Sequence, residues 1–136
     1  MRTLIALFLM VSVLLSACGS NSEAGSDVPE DPIDVATLRE RASDLDGETV
    51  TVRSNYWSDG ETQYLSDIMM ESYPPQIPKD QAVTLVGEMP ADVLAGLDHA
   101  EPSFAPVTWG MVEITGQVHV DGELRLEIVE ARLVEA

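Results

Sequence analysis

Val112-Glu113-Ile114-Thr115-Gly116-Gln117-Val118-His119-Val120 alternates apolar and polar residues within a longer stretch, Val107 to Val120, that is the clearest strand signal in the chain. A period of two puts Val112, Ile114, Val118 and Val120 on one side of an extended chain and Glu113, Thr115, Gln117 and His119 on the other. Gly116 breaks the apolar side and marks a bulge or a sharply coiled point. Asp121-Gly122 is a two-residue hairpin signal. The returning run shows Leu124, Leu126 and Ile128 on one face, then Val129, Ala131 and Leu133 on the other. Such a change of phase requires a bend or bulge at Ile128-Val129.

Moving towards the N-terminus, residues 96–106 carry no period. Val93, Leu94 and Leu97 share a helical face, with Pro90 suited to that helix's first turn. Ala82 to Gly87 reads as a short apolar strand. Before it, Tyr73-Pro74-Pro75-Gln76-Ile77-Pro78 lacks ladder donors at three positions and is expected as a stiff loop. Thr62 towards Met70 is a second strand, and Thr49-Val50-Thr51-Val52 opens the first, which continues to Tyr56 or Trp57. Ser58-Asp59-Gly60-Glu61 turns between them. Asp34 is placed to cap a helix over Val35 to Ser43, with Ile33 and Leu38 positioned as a hydrophobic staple.

The expected order is thus helix, three strands, helix, two strands. It resembles the OB-fold, so the fold expected is a mainly β, five-stranded OB-like barrel (β-β-β-α-β-β) with a preceding N-terminal helix. The resemblance covers about Leu45 to Val134. Its wording extends to Asp46-Gly47-Glu48-Thr49-Val50-Thr51-Val52-Arg53, to Glu71-Ser72-Tyr73-Pro74-Pro75-Gln76 and to Val107-Thr108-Trp109. These stretches are similar to small actinobacterial envelope proteins with an OB-like barrel, a likeness that brings no activity with it. Those relatives carry one cysteine on the second strand and another after the Pro-Pro-Gln run. Leu65-Ser66 and Ile77-Pro78 stand there instead, so no bridge ties this loop to the sheet.

The first residues carry a different signal. Arg2 precedes an apolar run from Leu4 to Leu14, and Leu15-Ser16-Ala17-Cys18 follows. A charged start, a short apolar stretch and small residues form a secretory signal. Its final cysteine makes it resemble the lipobox of bacterial lipoproteins. That resemblance implies cleavage after Ala17 and diacylglyceryl attachment to Cys18. The expected division is therefore 1–17 signal peptide, 18–31 flexible acidic tether and 32–136 barrel domain. The protein is then exported and lipid-anchored at a cell or outer membrane, facing away from the cytoplasm. Several acyl chains hold a soluble domain at a bilayer far better than one.

Without residues 1–17, 6 basic residues face 24 acidic ones, a formal charge of −18 on 119 residues, enough for one domain. Such a surface repels phosphates, and the short acidic loops offer no basic track, so no nucleic-acid partner is expected. Cys18 is the only cysteine, so no disulfide staples the domain. No cofactor motif is present. His99 lies in Asp98-His99-Ala100-Glu101 and His119 on a strand's polar face, without a nucleophile beside either. Three such loop residues usually stay solvated, so neither a catalytic set nor a metal site is assigned.

The expected function is a non-catalytic binding or interaction module meeting an envelope protein or small ligand. Trp57, Tyr73 and Gln76 are its candidate surface. The structural alternative, favoured by the residues alone, is that Tyr73 folds back to close the barrel end, with the prolines fixing its path. The alternative is an envelope hydrolase or metal-dependent enzyme built from scattered residues, and a third class is a structural envelope protein. A deep pocket gathering His99 or His119 with carboxylates favours the enzyme. An exposed apolar patch around Tyr73 and Trp57 favours a partner surface.

Overall fold

The computed structural model describes residues 31–135. The expected signal, the lipobox with Cys18 and the tether through residue 30 lie outside the described residues.

Around the decisive stretch, β5 (Thr108–Asp121) and β6 (Glu123–Leu133) form an antiparallel hairpin turning through Gly122 at φ +73°. Val112, Ile114, Val118 and Leu126 are fully buried on its inner face. The two expected irregularities are one feature. Thr115 pairs with Glu130 and Gly116 with Ile128, which leaves Val129 as the extra residue of a bulge, 66% exposed. The bulge resets the phase, so Ala131 and Leu133 pair with the buried Ile114 and Val112 and only Val129 turns outward. At Gly116 a Cβ atom would lie 2.5 Å from the Glu127 carbonyl oxygen and 2.9 Å from Leu126 Cγ. The strands approach closely because position 116 has no side chain.

The other strands close the sheet on itself. β1 (Thr49–Ser58) pairs with β5 along its whole length and with β2 (Gln63–Ser66) at its end. β3 (Val83–Val86) runs antiparallel to β2 and parallel to β6. The circuit β1-β2-β3-β6-β5-β1 is a closed mixed barrel of five strands with the OB-like order, and β4 (Asp98–His99) adds a short extra strand to β5. β2 stops at Ser66 rather than running towards Met70. Ser66 Oγ donates to the Ile68 carbonyl at 2.7 Å, a local bond that replaces the ladder.

Short helices pack buried residues, Val35, Leu38 and Val93, into the barrel's core. The expected first helix breaks at Arg41 into α1 (Val35–Glu40) and α2 (Ala42–Leu45). Asp34 caps α1, accepting the Thr37 N–H at 2.7 Å, and these bonds hold its carboxyl below the usual range. A distant carboxylate completes the cap: Asp67 accepts from the Val35 and Ala36 amides at 3.0 and 2.9 Å and from Ser54 Oγ at 2.7 Å. Ile33 bridges to Val52 on the edge of β1 that β2 leaves free, and packs with Leu38 against one core. α3 (Ala91–Gly96) follows Pro90, which sits at the cap rather than inside the first turn, and buries Val93. No helix among the described residues is long and apolar enough to cross a membrane.

Candidate functional site

The inner face of β1 carries Val52, Ser54 and Tyr56, all buried, and so puts Trp57 on the outer face beside Trp109 and Tyr64. The proline loop between β2 and β3 folds over that face. Trp57 is only 3% exposed, and its indole Nε1 donates to the Pro75 carbonyl at 2.8 Å. Ile77 and Val107 are buried with it, and Tyr64 tilts against it at 6.0 Å between ring centroids. Lys79, in the 3₁₀ turn Lys79–Gln81, lays its ammonium 5.3 Å from the Trp57 ring and 5.7 Å from the Tyr64 ring. Trp57 therefore supports the surface from below and does not form it.

Tyr73 and Gln76 lie on the exposed side of the same loop. The Gln76 carbonyl accepts from the Met70 amide, while its side chain stays near the Pro74 carbonyl at 3.5 Å. Tyr73 reaches across to the segment between β4 and β5, where its hydroxyl accepts the Glu101 N–H at 3.1 Å. Its ring stands edge-on to Phe104 at 5.1 Å and to Trp109 at 6.2 Å. Tyr73 and Phe104 remain 53% and 46% exposed. Sequence reading missed Phe104 and weighed Glu101 only as a possible metal ligand beside Asp98 and His99. The available signal was an aromatic between two prolines, Pro102 and Pro106, in a segment otherwise without a period.

Beside this pair lies an open depression of about 350 Å³, bordered by His99, Glu101, Pro102, Phe104, Pro106 and Val107. It brings His99 and Glu101 to one rim, a pairing that acid–base chemistry could use. Both imidazole nitrogens are already engaged, however: Nδ1 with Thr108 Oγ1 and Nε2 with the Leu94 carbonyl, each at 3.0 Å. Because a carbonyl only accepts, Nε2 carries a proton, and Nδ1 is occupied by the threonine hydroxyl. A general base needs a nitrogen free to face its substrate. His119 is elsewhere, on the outer wall, 3.0 Å from Glu127. Among the described residues no three His, Cys, Asp or Glu side chains converge as a ligand set.

The strongest charge cluster is structural. Glu113, 8% exposed, lies between Arg53 on β1 and Arg132 on β6, with Oε2 2.9 Å from one guanidinium and Oε1 2.7 Å from the other. Burial pushes its carboxyl up, but the hydrogen bonds and charges of Arg132 and Arg53 outweigh this and hold it below the usual range. Tyr56, facing the core, has its phenol pushed up by burial and donates to Gln63 Oε1 at 2.8 Å.

No protein-family model matches the chain, and no match is found among curated proteins or solved structures.

Proposed function

We propose that this is an exported, lipid-anchored envelope protein whose barrel is a non-catalytic interaction module, meeting its partner through the Tyr73–Phe104 surface. The observation that carries the reading is the half-exposed aromatic pair fixed in place by Trp109 and the Glu101 amide. Aromatic rings that stay exposed while already ordered lose little entropy on binding and have much area to bury. The depression beside them and the engagement of both His99 nitrogens support recognition over turnover. Arg53 and Arg132 are both turned to Glu113, which leaves them poorly placed for a phosphate track. The membrane anchor rests on Leu15-Ser16-Ala17-Cys18.

Two experiments in intact cells test the reading. A photo-cross-linking residue at position 73 is expected to give a discrete adduct that the same residue at position 129, on the exposed wall bulge, does not. Equal yields from both positions would remove the case for a dedicated surface. Cys18→Ala is expected to abolish fatty-acid labelling, and persistent labelling of that variant defeats the anchor.

A further inference from the structure

We infer that the depression beside Phe104 receives the arginine or lysine side chain of a basic polypeptide segment. This rests on the interaction-module reading and names the chemistry of the partner. Glu101 is the one carboxylate on the lining, and no lysine or arginine borders it. Among the described residues no ion pair engages Glu101, while its backbone amide is pinned by the Tyr73 hydroxyl. The backbone at Glu101 is thus held at a fixed place, and its exposed side chain carries the lining's negative charge beside apolar walls, where it can turn to meet an incoming cation.

The walls suit the stem of a long basic side chain. Pro102, Pro106 and Val107 are apolar, and Phe104 offers a ring to a cation. The molecule already contains such a contact, in Lys79 against Trp57 and Tyr64. The turn bearing Asp59 and Glu61 packs alongside: a Cβ atom on Gly60 would meet Pro106 Cγ at 3.2 Å. A formal charge of −17 over the chain draws basic partners from a distance. A volume of about 350 Å³ holds one side chain, not a folded element. The apolar surface continues beyond it to Tyr73, which a free amine leaves uncovered and a peptide's flanking residues cover.

The test is fluorescence anisotropy of a labelled octapeptide of alternating Gly and Arg, titrated with the full chain in neutral detergent micelles. Glu101→Gln and Phe104→Ala are each expected to weaken binding about fivefold. The thermal midpoint is expected to stay unchanged in Glu101→Gln, whose side chain is exposed, and to fall slightly in Phe104→Ala, which loses the edge contact with Tyr73. Glu130→Gln removes the same charge from the outer wall and is expected to shift affinity less than twofold. Equal losses from Glu101→Gln and Glu130→Gln would show diffuse attraction and overturn the inference. Spermidine competing as well as the peptide at equal charge would overturn it in favour of a small amine. If the peptide fails to bind while position 73 still cross-links selectively, the basic partner falls and the interaction surface stands. Binding by the peptide with no selective cross-linking at position 73 instead keeps the depression and removes the wider surface.

Discussion

The β5–β6 wall and the loop layer over Trp57 both exclude water from apolar side chains, by opposite means. On the wall, the backbone ladder repeats from Val112↔Leu133 to Asp121↔Glu123, interrupted only at Val129. Each pair supports its neighbours, so no single side chain holds the strands together. The layer over Trp57 has no ladder. It is joined to the barrel by the indole hydrogen bond to Pro75, by Ile77 and Val107, by Lys79 stacked above and, at its exposed side, by Tyr73 against Trp109 and the Glu101 amide. A ladder distributes stability, whereas a folded-over loop concentrates it in the residue it covers.

The largest expected effect follows from that concentration. Trp57→Ala removes the ring, leaves the Pro75 carbonyl without its donor and opens a cavity beneath the loop. A loss of about 3–4 kcal/mol is expected in urea denaturation. Limited proteolysis is expected to cut within residues 71–79 while amide exchange in β5 and β6 stays slow. Exchange that accelerates equally in the hairpin would show that loop and wall are one cooperative unit.

The wall has one exception to its redundancy. Gly116→Val puts a branched side chain where even a Cβ meets the Glu127 carbonyl oxygen at 2.5 Å, which is backbone and cannot swing aside. A loss of about 2–3 kcal/mol is expected. Gly47→Val serves as the contrast, since no atom lies within 4 Å of a Cβ there and its cost comes from φ +82° alone. If thermal melts show the two variants equally destabilised, close strand approach is not what position 116 requires.

How far each region can be read from sequence follows the same division. Val112, Ile114, Val118, Gly116 and the Asp121-Gly122 turn declare the hairpin because a strand's period is local and repeats. The phase break at Ile128-Val129 even locates the bulge. Asp67 gives no such sign: it caps α1 from 31 and 32 residues away, a relation that exists only after the barrel closes. Trp57 was legible as a large aromatic, but its burial depends on Pro75, 18 residues on, folding across it. Phe104 and Glu101 become a surface only through Tyr73, which no spacing rule connects to them. Strand pairing is written in patterns, and the candidate site in contacts between loops.

The smallest expected effect tests whether the outer wall depends on its charges. Glu113 is paired by Arg53 and Arg132, whose side chains are 51% and 71% exposed, so solvent screens most of the attraction. Glu113→Gln is therefore expected to cost no more than about 1 kcal/mol at pH 7. Its pH dependence is more telling than its size. The folded carboxyl lies below the ordinary 4.5, so unfolding at acid pH takes up a proton. The stabilisation is complete above the unfolded value and disappears as pH falls through the lowered folded one. Asp34 and Asp59 are lowered in the same sense by hydrogen bonds to Thr37 and to the Thr62 and Glu61 amides, and they stay in the variant. Subtracting the two urea-denaturation curves, from pH 7 to pH 3, thus isolates Glu113. The difference should shrink towards acid and also in 1 M salt, where screening acts within about 3 Å. A difference that stays constant over that range would mean that Glu113 holds the wall through packing and neutral hydrogen bonds, and that the wall is indifferent to charge.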